Sequence, residues 1–232
     1  MSIAIIPARG GSKRIPGKNI KLFLGKPLIH YSIAAALQSG LFTRVVVSTD
    51  SEEIARVAEE AGAEIPFLRP ATLADDFVTS IDVAQHAIQT LGGSERYARF
   101  CFIYATAPFI QPQALAQGAQ LQQQHQCSSV FTVSSFASPI HRALKLEENG
   151  CLRMFWPEHE RTRSNDLPEA YFDAGQFYWL ETARFLKQPA FFSADARPLL
   201  LPRYLVQDID TPEDWENAEF LFQALQLRGL LS

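Results

Sequence analysis

Cysteine is scarce. The chain of 232 residues carries three, Cys101, Cys127 and Cys151. They are odd in number, far apart, and form no CxxC or Cys/His spacing, which excludes a disulfide framework and a structural zinc site. Such usage fits a reducing compartment, with Cys101, in an apolar run, read as a small core residue. Long apolar runs are missing too. No segment approaches the roughly 18 apolar residues that span a bilayer as a helix, so no membrane partner is expected. The opening apolar run, at about five residues, is shorter than a secretion signal needs, and a cytoplasmic protein is the expectation. A basic excess is also absent. Lys and Arg number 21 against 25 Asp and Glu, for a net charge of −4, so nucleic acid is not an expected partner. No internal repeat is found, and no histidine pairs with a Ser or Cys in a triad-like pattern.

What is present reads as an ordinary globular chain, 47% apolar and 20% charged. Its length suits one large α/β domain, or one domain with a small appendage, with a core that needs no covalent staples. Strand-like runs at Ile3 to Ile6, Val45 to Val47, Phe100 to Tyr104 and Val130 to Val133 alternate with helical patterns. The helices begin at Pro27, after Asp50, at Thr79 or Ser80, and at Pro112. Asp50 is expected to cap its helix, with Glu53 completing a capping box. A further short strand is expected at Ile65 to Leu68, and the glutamines after Pro112 read as a solvated helix face. This alternation predicts a doubly wound, Rossmann-like, mostly parallel sheet with helices on both faces.

The rhythm breaks over 137–170, where a hairpin turning at Asn149-Gly150 is expected. Residues 1–136 and 171–232 then form the core, and 137–170 an excursion from it. Phe177 to Leu180 returns as a strand. Leu205 to Asp210 is expected as a late strand, followed by a helix capped by Thr211 and opened by Pro212.

The chemistry concentrates at the ends of these strands. Ile5-Ile6-Pro7-Ala8-Arg9-Gly10-Gly11-Ser12-Lys13-Arg14-Ile15-Pro16-Gly17-Lys18-Asn19 leaves the first strand where open α/β sheets bind ligands. Gly10 and Gly11 let the backbone turn its N–H groups toward an anion, and Arg9, Lys13, Arg14 and Lys18 can neutralise several negative charges. A nucleoside triphosphate fits this pattern; a solvated basic loop is the alternative. The spacing matches neither GxxxxGK[ST], since five residues separate Gly11 from Gly17 and Asn19 replaces the hydroxyl, nor GxGxxG. In Asp208-Ile209-Asp210, a strand would place both carboxylates on one face, a hard-oxygen site for magnesium touching phosphates. Alternatively, Asp210 helps to cap the last helix. Arg69-Pro70 with Asp75-Asp76, and Tyr104-Ala105-Thr106-Ala107-Pro108, end near the same crevice. In Asp173-Ala174-Gly175-Gln176-Phe177-Tyr178-Trp179, Gln176 and Tyr178 read as polar recognition of a sugar, and Phe177 and Trp179 as core.

With these residues in view, the opening stretch resembles that of the acylneuraminate cytidylyltransferases, which make CMP-activated sugar acids. Val47-Ser48-Thr49-Asp50, Leu68-Arg69-Pro70 and Asp208-Ile209-Asp210-Thr211 match further motifs of that family in order, so the likeness spans nearly the whole chain. Arg163-Ser164-Asn165-Asp166-Leu167-Pro168-Glu169-Ala170-Tyr171 and the segment after it resemble the branch acting on pseudaminic acid. The sialic acid enzymes carry a Gln before Pro-Thr-Ser-Pro and an Arg soon after; here Tyr104, Ala105, Ala107 and Ile110 stand at the departing positions. The resemblance implies transfer of CMP from CTP to a nine-carbon keto-sugar acid. Sialic, legionaminic or another keto-sugar acid is the alternative substrate, and a non-catalytic nucleotide-binding regulator the alternative class. It implies Mg2+ as cofactor and a homodimer in which 137–170 crosses to the partner. By matching position, Arg9, Ser12, Lys13 and Lys18 hold the triphosphate, helped by the backbone of Ala8, Gly10 and Gly11. Asn19, Arg69 and Ser80 hold the cytosine and ribose, and Asp208 and Asp210 the metal. Tyr104, Thr106, Asp173, Gln176 and Tyr178 face the sugar. Arg9, Lys13, Lys18, Asp208 and Asp210 are the expected catalytic residues.

Overall fold

In the computed structural model, which describes every residue except Asp76 and Ser232, the elements run in the following order. β1 (Ser2–Pro7), β2 (Leu22–Phe23) and β3 (Lys26–Pro27) precede α1 (Leu28–Gln38), β4 (Arg44–Ser48) and α2 (Glu52–Glu60). Then come α3 (Ser80–Thr90), α4 (Gly93–Arg96), β5 (Arg99–Ile103), α5 (Pro112–His125) and β6 (Ser129–Ser135). β7 (Leu144–Leu146), β8 (Leu152–Met154), β9 (Tyr171–Glu181), α6 (Thr182–Lys187), β10 (Arg197–Leu200) and α7 (Pro212–Leu227) complete the chain.

Six strands form the main sheet in the order β10-β6-β9-β5-β1-β4. β9 runs antiparallel to β5 and β6; the other neighbours are parallel. The apolar strands are continuous because both faces are covered. Ala4 and Ile6 of β1 pack with α1, α2 and α5 residues such as Ile33, Ile54 and Leu115. Ile3 and Ile5 pack on the other face with Val83, Ile88 and Phe185 of α3 and α6. Each Ile, Val, Leu or Phe buried in this way contributes about 1.5–3 kcal/mol. α7 closes a third cluster with Ile15, Phe23, Phe109 and Ile209.

Several expectations need correction. Ser51, not Asp50, caps α2, its hydroxyl accepting from the Ile54 N–H at 3.4 Å. Residues 65–68 make a single isolated bridge, Leu68 with Thr49, next to another between Glu64 and Val46. The glutamine face of α5 is solvated at Gln113, Gln117, Gln120, Gln123 and Gln124 as expected, with Gln122 alone buried. No strand forms over Leu205 to Asp210. β10, a strand without a sequence expectation, already occupies the β6 edge, and Arg203–Leu205 is a 3-10 turn. Residues 206–210 instead cross beneath the first loop, with Ile209 packed in the α7 cluster.

Two irregularities shape one end of the sheet. Phe131 of β6 pairs with Tyr178 of β9, yet Val133 pairs with Asp173, so β9 bulges between them. Gly175, at φ +59°, makes the bend, and the Asp173 carboxylate accepts its N–H at 3.0 Å. The β7–β8 hairpin stands off the sheet, with Leu144, Leu146 and Leu152 exposed.

Candidate active site

The loop after β1 is tied down before it reaches the crevice. The Ala8 N–H donates to Ser48 O of β4 at 3.0 Å, and Asn19 Nδ2 donates to Arg9 O at 3.0 Å. Asn19 is buried, and its own carbonyl accepts from Ile29 at the start of α1. The loop therefore wraps around a fixed amide, with Gly17 turning in the left-handed region at φ +62°. Gly10 does not offer its amide to solvent; its N–H donates to Asp50 Oδ1 at 3.1 Å.

Between this loop, the segment 69–83 and the end of β5 lies a cavity of about 340 Å³. Arg9, Ser12, Lys13, Lys18 and Asn19 line one side, with Arg14 beside them. Arg69, Ser80, Tyr104 and Thr106 line the other. The structure thus brings together the expected triphosphate residues with the expected cytosine and ribose residues. Five cationic side chains face it against one acid, Asp75, among the described residues. Asp75, exposed, is already engaged: its side chain accepts the Phe77 and Val78 N–H groups, and its carbonyl accepts from Arg9 at 3.2 Å. Asp76 lies outside the described residues.

Arg69 is the most unusual of the five. Its side chain is 3% exposed, and its Nη2 lies 3.4 Å from Asp50 Oδ1. Nε has no hydrogen-bond partner. Burial lowers its pKa from the ordinary arginine value, Asp50 opposes that shift, and Arg9 adds to it. A buried guanidinium with an unused donor suits an acceptor brought by a ligand.

Asp208 and Asp210 stand beside this cavity rather than in its wall. Asp210 is gripped by two of the lining cations: Arg14 Nη1 at 2.9 Å and Lys18 Nζ at 3.3 Å. Lys18 also donates to the Ile209 carbonyl at 2.7 Å. Burial raises the Asp208 carboxyl pKa from its ordinary value, the charge of Asp210 adds to the shift, and Lys18 pulls it down. Two carboxylates that repel each other in this way suit a divalent cation.

The β9 residues divide. Asp173, exposed, accepts the hydroxyl proton of Tyr178. Tyr178 itself is 1% exposed and stacks on Phe191 at 4.4 Å, so it lies under the site and not in the cavity wall. Burial pushes its hydroxyl pKa far up, with Tyr104 and Asp173 adding to the shift. Gln176 is buried and donates to Leu205 O. Phe177 and Trp179 are core, the latter donating to Leu115 O at 3.0 Å. Tyr104 reaches the cavity, its hydroxyl 3.1 Å from Ser80 Oγ and its carbonyl held by Ser32.

The cytidylyltransferase family profile matches residues 3–228, so the chain belongs to that family. It is 46% identical over 223 residues to a pseudaminic acid cytidylyltransferase of Campylobacter jejuni, covering 96% of each chain. It is 34% identical to a CMP-N,N'-diacetyllegionaminic acid synthase of Legionella pneumophila, covering 97% of each. An N-acylneuraminate cytidylyltransferase of Escherichia coli is 33% identical over 93% of this chain and 51% of its own length. Among solved structures, a CMP:2-keto-3-deoxy-manno-octonic acid synthetase complexed with CTP superposes with a TM-score of 0.71 at 17% identity, over 96% of this chain and 98% of its own. That last likeness is one of fold.

Proposed function

We propose that this member of the cytidylyltransferase family transfers CMP from CTP to the anomeric hydroxyl of pseudaminic acid, giving CMP-pseudaminic acid and pyrophosphate. The observation that carries the reading is the set of five cations on one cavity, in a chain 46% identical along its length to a relative named for this activity.

The anomeric oxygen attacks the α-phosphorus, the bond to the β-phosphate oxygen breaks, and pyrophosphate leaves in line. Catalysis in such transfers is mostly positioning and charge stabilisation. Arg9, Lys13 and Lys18, with Ser12 and the Ala8, Gly10 and Gly11 backbone shaping the loop, hold the triphosphate and take up the charge growing on pyrophosphate. Asn19, Arg69 and Ser80 hold the nucleoside, with the free Arg69 Nε as a donor to the base. Magnesium held by Asp208 and Asp210 would supply further neutralisation of the phosphates. Tyr104, Thr106 and Asp173 face the sugar acid; the Tyr178 hydroxyl donates to Asp173, and the Gln176 carbonyl accepts the Tyr104 N–H at 2.9 Å.

The reading includes a second copy of the chain, in the cytoplasm. Leu144, Leu146, Leu152, Phe155 and Trp156 are exposed along 137–170, a surface apolar enough to bury against a partner. The test is product identity. CTP labelled at the α-phosphate should pass its label to a sugar nucleotide whose mass is that of CMP-pseudaminic acid. Label recovered only in CTP after prolonged incubation with both substrates would contradict the reading.

A further inference from the structure

Asp50 is placed where helix capping does not require it. Ser51 provides the α2 cap, and the Asp50 carboxylate turns instead to two partners distant in sequence. Its Oδ1 accepts from the Gly10 N–H at 3.1 Å and from Arg69 Nη2 at 3.4 Å. The backbone around this oxygen is fixed from three sides. Ala8 donates to Ser48 O at 3.0 Å, Arg69 donates to Thr49 O at 2.7 Å, and Ser51 donates to Thr49 Oγ1 at 3.1 Å. The glycine loop also lies flat on this turn: a Cβ on Gly10 would stand 3.2 Å from Ser51 Cβ.

We propose that Asp50 is a positioning residue for the nucleotide, its carboxylate tying the glycine loop to the Arg69 guanidinium at a set separation beside the cavity. The inference rests on the reading of that cavity as the CTP site. Gly10 lies in the loop between Arg9 and Ser12, which line the side of the cavity opposite Arg69, so a single anchor ties the triphosphate side to the base side. It also assigns the Gly10 N–H to Asp50 and not to a phosphate. The buried Arg69 charge needs a nearby anion when the cavity is empty, and Asp50 provides one.

The test uses two substitutions that dissect the two bonds. Asp50→Asn keeps an oxygen for Gly10 and removes the charge opposite Arg69; Asp50→Ala removes both. The expected result is a fall in kcat/KM for CTP of about tenfold in Asp50→Asn, the scale of one charge-assisted hydrogen bond, and more in Asp50→Ala. KM for the sugar acid should stay at the wild-type value in both. Ser51→Ala, which removes the true cap, should lower Tm while leaving KM for CTP unchanged, separating positioning from folding. In a double-mutant cycle, Asp50→Asn and Arg69→Lys should be non-additive. Should Asp50→Ala fail to fold, the near-isosteric Asn variant and the cycle carry the test. Wild-type CTP kinetics in Asp50→Asn, or additive effects with Arg69→Lys, would overturn the proposal. A wild-type protein that turns over no CTP would instead sink the reading of the cavity.

Discussion

Lys18 and Asp210 lie 192 positions apart in the chain and 3.3 Å apart in the fold. The ammonium also touches the Ile209 carbonyl at 2.7 Å, and Arg14 holds the other oxygen of Asp210 at 2.9 Å. The cationic loop at the start of the chain and the aspartates near its end are therefore one unit. Each compensates the other's charge, so the cations are already in place for the triphosphate that the proposed function requires.

From this follows the behaviour of Lys18→Ala. Loss of one preorganised cation should lower kcat/KM for CTP by about 100-fold, on the scale of removing a single donor to a developing oxyanion. KM for the sugar acid should stay constant. Steady-state kinetics with each substrate varied in turn separates the two constants.

The two aspartates should not respond alike. Asp208→Asn and Asp210→Asn should each reduce turnover by about 100-fold or more, as loss of a carboxylate from a catalytic metal site does. Asp210→Asn should in addition change KM for CTP, because Arg14 and Lys18 lose their partner. Rate measured against magnesium concentration should show the half-saturation point rising in both variants, with far-UV circular dichroism unchanged.

How much of this was legible in the sequence depends on whether a residue's role is local. The β1, β4, β5 and β6 strands and the Thr211 cap follow from short-range patterns and appear as expected. Asp50 and Ser51 show the limit: both residue types cap helices, and only the fold reveals that Asp50 is drawn away by Gly10 and Arg69. Asp208-Ile209-Asp210 reads as a strand because the alternation is real, yet the β6 edge is taken by β10, whose Arg-Pro-Leu-Leu sequence is too short to stand out. For Tyr178, alternation places it on the correct face; that both faces of β9 are covered is a tertiary fact. The burial of Arg69 is likewise a tertiary fact, although the Leu68-Arg69-Pro70 motif is visible in the sequence.

Packing gives a prediction independent of catalysis. Gly118 of α5 faces β9 so closely that an added Cβ would stand 2.8 Å from Trp179 Cδ1 and 3.0 Å from Phe177 Cε2. Gly118→Ala should therefore destabilise the fold by about 1–3 kcal/mol through overpacking, despite the better helix propensity of alanine. Urea unfolding checks the loss, and activity per folded molecule should match the wild type.

The 137–170 excursion offers a test of assembly. Leu146 and Leu152, paired across β7 and β8, are 71% and 65% exposed in the single chain. If a second copy covers them, Leu146→Asp with Leu152→Asp should convert a dimer into a monomer in sedimentation velocity. An unchanged sedimentation coefficient would assign the excursion another role.

The most direct measurement is pyrophosphate release from CTP and magnesium, run in parallel with pseudaminic acid, with N-acetylneuraminic acid and with no sugar. The account predicts release with pseudaminic acid, little with N-acetylneuraminic acid and none without a sugar. Release with N-acetylneuraminic acid alone, or equal release in all three, would contradict it.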